Sequence, residues 1–414
     1  MEQVKEKLGM SHGKPESWIN GVHSRMQETP GLEVIYLFPA EESLSFTEGI
    51  ATFRSYKPNW GHQFDPEQAR QFTEMIKSFE PDVIHIFGTE LPHTLAMVNA
   101  AESLGYSNKV LVHIQGLVKF CADHYCAYMP VRILRRKTFR DLLRGGGVLA
   151  GQKVFRERGK LEAEAIRKAV NISGRTDWDE ACVKLINPGA RYFFCDESLR
   201  DSFYDSPKWS LEECDKHSIF ISQSNYPLKG FHLFLQVLPY IIQKYPDVHV
   251  YTTGTSPIRD TLIRRIKQTS YAKYLEELIR DNHLEKYITF MGYLDEKRMC
   301  ERFLKSHVFL TPSSIENSPN SLGEAMLLGV PCISSDVGGV KNLMTHGAEG
   351  FTYPADEPYM IPYYVDRIFS DDGLAREFSR NASEHAARTH DREENFRRLM
   401  EIYREIAGGS EVGK

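Results

Sequence analysis

Residues 313–333 read SSIENSPNSLGEAMLLGVPCI and place seven residues between two carboxylates, Glu316 and Glu324. The stretch follows an apolar run, HVFLTP, and precedes a helical pattern that must end at Gly329, with Pro331 just beyond. Pro319 suits the first turn of that helix, where a missing N–H costs nothing. The unpaired N–H groups and dipole of a helix start hold anions, typically phosphate. Glu324 lies about one turn further in, and helical side chains lean back toward the N-terminus. An ionised carboxylate only accepts hydrogen bonds, so beside a phosphate its natural partners are hydroxyls. A nucleotide sugar offers phosphate and hydroxyls together. The bland alternative is a chance pair of glutamates, with Ser321-Leu-Gly-Glu324 acting as a capping box.

A second stretch, IFISQSNYPLKG at 219–230, is an apolar run, a polar loop and then Lys229-Gly230 before a strongly apolar helix. A lysine at such a junction can neutralise a diphosphate, and Gly230 permits close approach. A solvated lysine before a helix is the ordinary alternative.

The elements that must position these groups alternate along nearly the whole chain. Short apolar, β-branched runs at 33–38, 82–87, 109–114, 170–174 and 191–194 predict strands. So do runs at 218–222, 248–254, 287–292, 307–312 and 330–335, and amphipathic segments separate them. The polar, proline-containing stretch 204–217 reads as the break between two doubly wound α/β domains. About 30 polar or helical residues precede the first clear run, so a strand encoded upstream of Met1 is expected.

The order IFISQSNYPLKG, VHVYTTG, ITFMGYL, FLTPSSIENSPNSLGEAM and GVPCISSDVGGV resembles the donor domain of family 4 retaining glycosyltransferases. The N-terminal half is similar more loosely, through PDVIHIFGTELPHTLA, VLVHIQGLV and SGRTDWDEACV, to a bacterial subset building capsular and other surface polysaccharides. The resemblance implies a GT-B fold, two Rossmann-like domains facing across a cleft. Residues 1–205 would bind the acceptor, 206–395 the donor, and a final helix over 396–414 would pack back on the first domain. It also implies roles. Glu316 would meet the donor sugar, Glu324 the ribose, and Lys229 the diphosphate. Amides of Pro319, Asn320, Ser321 and Leu322 would complete the phosphate site, and backbone at Met291, Gly292 and Tyr293 would touch the base.

Two departures stand out. Where many relatives carry an arginine before the lysine, this chain has Gln223, Ser224 and Asn225. Where relatives often have a histidine before the cleft glycine, it has Gln115, with His113 two residues away on the same strand face. Ligands of open α/β sheets gather at strand carboxyl ends, which makes Glu90, His93, His113, Gln115, Arg175 and Thr176 candidates for acceptor contacts, with capping or packing as the alternative.

Other motifs have plainer readings. Asp177-Trp178-Asp179 mimics a metal-chelating D-x-D but reads as an acidic helix start. The glycines of GGGVLAG at 145–151 read as a flexible loop, since no strand leads into them. Cys121 and Cys126 lie near His113 and His124 in sequence, yet no spacing fits a zinc site. Residues 131–160 hold ten Lys or Arg against Asp141 and Glu157, a local +8 in a chain of net −5. That run is either a solvated face or a surface drawn to anionic lipid.

The 414 residues suit two domains, the net charge of −5 does not recommend nucleic acid, and no run approaches a membrane span. The expectation is a cytoplasmic hexosyltransferase, peripheral at the inner face of the plasma membrane if the basic run binds lipid. It would need no metal, and would move a sugar from a nucleotide-diphosphate donor to a saccharide or lipid-linked saccharide with retention. The alternatives are a nucleotide-sugar epimerase of the same fold and a non-catalytic nucleotide-sugar binding protein.

Overall fold

The computed structural model describes residues 19–259, 261 and 266–408, and within them the apolar runs become strands separated by helices. The N-terminal half holds β1 (Val34–Pro39), β2 (Ser45–Glu48), β3 (Ala51–Tyr56), β4 (Ile84–Phe87), β5 (Val110–His113), β6 (Asn171–Gly174) and β7 (Arg191–Phe194). The C-terminal half holds β8 (Asp215–Ile221), β9 (His249–Thr252), β10 (Ile288–Phe290), β11 (Ser306–Thr311), β12 (Cys332–Ser335) and β13 (Gly350–Tyr353). Ten of these occupy runs read as strands from sequence; β2, β3 and β13 do not. The strand expected upstream of Met1 lies outside the described residues.

The chain forms two compact units. One comprises Met1–Phe120, Phe155–Arg200 and Asp391–Lys414, and the other Cys121–Val154 with Asp201–His390. A single cut at 205 therefore misplaces Cys121–Val154, which packs with the second unit for specific reasons. Thr138 Oγ1 donates to Gln268 O at 2.7 Å, Asp141 Oδ2 accepts from Ser270 N at 2.9 Å, and Arg136 pairs with Glu277 at 2.7 Å.

In the first unit β4-β5-β6-β7 form one parallel sheet, and β1-β3-β2 form another in which only the β2–β3 pair is antiparallel. The turn between β2 and β3 holds Gly49 at φ 57°, which glycine adopts without strain. The helix Arg392–Gly408 belongs to this unit, and its Leu399, Ile402 and Ile406 pack with Met26, Leu111 and Phe193.

The second unit is a six-stranded parallel sheet in the order β10-β9-β8-β11-β12-β13. Every residue of β11 and β12 is buried, as expected where helices cover both faces. Phe220, Phe303 and Phe309 meet there ring to ring, at 5.0 Å for Phe220–Phe303 and 4.9 Å for Phe303–Phe309. From β8 the chain builds outward through β9 to β10, then returns to β8's other side for β11. The strand order thus reverses between β8 and β11, and ligands of open α/β sheets bind outside the carboxyl ends at such a reversal.

Candidate functional site

Both stretches singled out by their chemistry emerge at that reversal, Lys229 after β8 and Glu316 after β11. Lys229 ends a 3₁₀ turn, Pro227–Lys229, and Gly230 follows at φ 65°. A Cβ on Gly230 would stand 1.7 Å from Pro312 O, so only glycine lets this turn press against the end of β11. Ser314 N donates to Leu228 O at 2.8 Å and locks the two loops together. Lys229 Nζ then lies 2.6 Å from Glu316 Oε1, which also accepts from Ser313 Oγ at 2.7 Å. Lys229 is 28% exposed and Glu316 11%, so the pair is largely buried yet still open to solvent.

The glycines of DVGGV at 336–340 serve the same loop. Gly339 N donates to Glu316 O at 3.2 Å, and a Cβ on Gly338, at φ 53°, would stand 1.8 Å from that carbonyl.

The helix beyond Glu316 is Asn320–Leu328, ended by Gly329 at φ 82°. Pro319 is its N-cap in extended conformation, not a residue of its first turn. The capping-box alternative does not form, because Ser321 is already inside the helix and the cap position makes no side-chain hydrogen bond. Pro319 has no N–H and Leu322 N donates to Pro319 O at 2.9 Å, so an anion here would meet the amides of Asn320 and Ser321. Glu324 is buried one turn into this helix, at 4% exposure.

The rim comes from loops after β8, β9 and β10. Gln223 is exposed, whereas Ser224 is buried and donates through Oγ to Thr253 O at 2.9 Å. The exposed Asn225 sits against Gly254, where any Cβ would strike its carboxamide. Gly254 N donates to Gly292 O at 2.8 Å and Met291 N to Thr252 O at 2.9 Å, which joins these loops and leaves Tyr293 exposed beside them.

In the first unit, residues at or just past the carboxyl ends of β5, β6 and β7 form a separate polar cluster. Glu197, unnoticed in the sequence, is its centre. It is 4% exposed, with Oε1 at 2.7 Å from His113 Nε2 and Oε2 at 2.9 Å from Arg175. Gln115 Nε2 also donates to Oε1, and Ser173 Oγ meets His113 Nδ1 at 2.9 Å. Burial alone would raise the Glu197 pKa, but the Arg175 guanidinium, with His113 and Gln115, outweighs it and holds the carboxyl below the usual range. The rule that picked Glu90 and Arg175, position just past a strand's carboxyl end, would have found Glu197 after RYFF.

The other candidates separate. Glu90 carries its carboxylate across Gly88 and Gly116, and burial pushes its pKa up. His93 opens the helix His93–Ser103 beside Tyr56, and burial lowers its pKa to about 4. Thr176 is an N-cap, accepting from Asp179 N at 3.1 Å. Asp177 and Asp179 begin the helix Asp177–Ile186, and Asp179 is buried, accepting from Arg175 N at 3.1 Å and from the Tyr192 hydroxyl. GGGVLAG is not one loop: Gly145 caps the helix Phe139–Arg144 and Val148 opens the helix Val148–Lys168. Among the described residues no three His, Cys, Asp or Glu converge as metal ligands.

Residues 205–385, most of the second unit, match the family model of "Glycosyl transferases group 1". Over the longer chain, N-acetyl-α-D-glucosaminyl L-malate synthase of Bacillus anthracis is 24% identical across 85% of this chain and 82% of its own. Other curated relatives match more briefly, and in three of them the match spans 40%, 42% and 47% of their length. Among solved structures, sucrose-phosphate synthase of Thermosynechococcus elongatus superposes with a TM-score of 0.68 at 14% identity, over 94% of this chain and 91% of its own. HepE of Anabaena, crystallised with UDP and glucose, gives 0.64 at 15% identity, over 95% and 97%. The fold is the two-domain GT-B fold of these proteins.

Proposed function

We propose that this chain is a glycosyltransferase that moves a sugar from a nucleoside-diphosphate donor to a hydroxyl of a saccharide or lipid-linked saccharide. The observation that carries the reading is the Lys229–Glu316 pair at the β8/β11 reversal, just ahead of the helix start at Asn320, with Glu324 buried behind it. One cation, a helix N-terminus and two carboxylates match a diphosphate flanked by a ribose and a sugar. The match to group 1 glycosyl transferases over 205–385 and the UDP and glucose bound by HepE support that donor class.

In this reading the bond from the anomeric carbon to the diphosphate breaks as the acceptor hydroxyl oxygen bonds to that carbon, and the departing diphosphate takes up the hydroxyl proton. Charge grows on the departing phosphate oxygens, and fixed groups aimed at it lower the barrier. Lys229 and the amides of Asn320 and Ser321 supply them. Lys229 is held by Glu316 in the free protein, so donor entry exchanges that ion pair for phosphate on the lysine and sugar hydroxyls on the glutamate. Glu324 takes the ribose. The similarity to family 4 enzymes supports retention at the anomeric carbon and a place in surface polysaccharide assembly.

The first unit would carry the acceptor, with the cluster around Glu197 fixing Arg175 and Gln115. Thr176, already a helix cap, drops out of the acceptor set.

Thermal-shift measurement against nucleotide sugars tests the reading. A bound donor at a hundred times its dissociation constant adds about 2.7 kcal/mol of stability. No shift with any uridine, guanosine or adenosine diphosphate sugar would reject it. Conversion of the bound donor without acceptor would replace it with an epimerase, and tight binding without turnover with a non-catalytic binding protein.

A further inference from the structure

The segment 131–153 reverses the usual polarity of a surface element. Its short helix, Phe139–Arg144, turns its acid inward: Asp141 is 0% exposed, caps the helix against Thr138 and accepts from Ser270 N at 2.9 Å. Its apolar side chains point outward, with Phe139, Leu142 and Leu143 at 59%, 66% and 71% exposure. Val131 and Leu149 are exposed beside them in sequence, and Tyr128 just before. Six of the fifteen exposed large hydrophobics among the described residues thus fall within 128–149. Scattered exposed apolar residues need no explanation, but a run of them marks a surface that meets something apolar.

Charge identifies the occupant. Residues 131–153 contain seven Lys or Arg and a single acid, the buried Asp141, for a net +6. Arg132, Arg135, Lys137, Arg144 and Lys153 are exposed among the same residues. The remaining cations of the basic run, Arg156, Arg158 and Lys160, belong to the first unit, where Arg158 donates to Trp60 O at 2.8 Å and Lys160 pairs with Glu157 at 2.8 Å. What the second unit presents over these residues is therefore a run of exposed apolar side chains interspersed with exposed cations, anchored by the hydrogen bonds of Thr138 and Asp141 and by the buried Ile133.

We infer that residues 131–149 dock this protein on an anionic lipid surface, Phe139, Leu142 and Leu143 entering the headgroup–acyl boundary while the surrounding cations meet lipid phosphates. Both halves of the signature are needed for stable reversible binding, since apolar depth and electrostatic attraction add. The inference is independent of the donor reading, and goes beyond the sequence expectation of a basic surface by assigning insertion to named apolar side chains.

Vesicle flotation of the full chain tests it, using phosphatidylcholine alone and phosphatidylcholine mixed with phosphatidylglycerol. The protein is expected to float with the anionic vesicles at low salt, to be released by high salt, and to ignore the neutral ones. Leu142→Ser with Leu143→Ser should weaken partitioning about tenfold or more, and Arg132→Gln, Arg135→Gln and Arg144→Gln together roughly a hundredfold. Circular dichroism confirms that each variant is folded. Absence of flotation on anionic vesicles at low salt overturns the inference. So does flotation that neither variant changes, or self-association in sedimentation velocity that the serines abolish while vesicles stay unbound.

Discussion

Replacing Lys229 by methionine keeps the bulk of the side chain and removes the charge that the account places on the departing diphosphate. The structure sets the size of two separate effects. In stability, Glu316 is 11% exposed and loses the cation 2.6 Å away while keeping the Ser313 hydroxyl. Unit charges about 4 Å apart attract by about 4 kcal/mol at an effective dielectric constant of about 20. With Lys229 28% exposed, solvent screening reduces this to about 1–2 kcal/mol. Lys229→Met should therefore cost about 1–3 kcal/mol of unfolding free energy, part of which Glu316→Gln in the same chain restores. In turnover, a lost charge-assisted contact to the leaving group is worth about 1.5–3 kcal/mol, or roughly 10- to 150-fold in kcat. Urea unfolding of the wild type, both single variants and the double variant gives the first quantity, and nucleoside diphosphate release under saturating donor gives the second. A Lys229→Met protein that is less stable but turns over at the wild-type rate would refute the reasoning, because the pair would then be structural only.

Two further outcomes follow from the same structure. Glu324→Ala should raise the donor KM with kcat little changed, since ribose contacts are alike in ground and transition states, and steady-state kinetics on the preferred donor checks it. Glu162 is buried and accepts from Thr89 Oγ1, Val118 N and Lys119 N, yet burial outweighs these donors and lifts its pKa to about 8. The folded state then binds the extra proton between the ordinary carboxylate range and about pH 8. The stability this provides is complete below the unfolded pKa and is lost as pH rises through the folded one, about 5 kcal/mol in all. Glu162→Gln should remove that slope between about pH 5 and 9, measured as the difference from wild type so that the buried histidines cancel; an unchanged slope contradicts it.

Much of the second unit is legible from sequence because β11, β12 and the end of β8 are buried on both faces and so appear as apolar runs, with Gly230, Gly329 and Pro331 marking the turns. β2 and β3 escaped notice for the opposite reason. SFTE is polar and ATFRSY mixes polar with apolar residues, and the hairpin is signalled only by Gly49. β13, GFTY, opens on a glycine and sets a threonine between its two aromatics, so no apolar β-branched run marks it. Cys121–Val154 was assigned to the first domain by chain order, whereas its placement rests on Thr138, Asp141 and Arg136 meeting residues more than a hundred positions later. Glu197 shows the same limit at a smaller scale. Its partners His113, Gln115 and Arg175 come from the ends of two other strands, and no local pattern joins them. The inward Asp141 and outward Leu142 and Leu143 reverse what a charge count over 131–160 can convey.

The most direct measurement is release of nucleoside diphosphate from a panel of nucleotide sugars by the purified chain, with Glu316→Ala alongside. The account predicts release from one donor class, stimulated by a saccharide acceptor and lost in the variant even where the donor still binds. Binding and release that are indifferent to Glu316, or no release from any donor in the presence of acceptors, would contradict it.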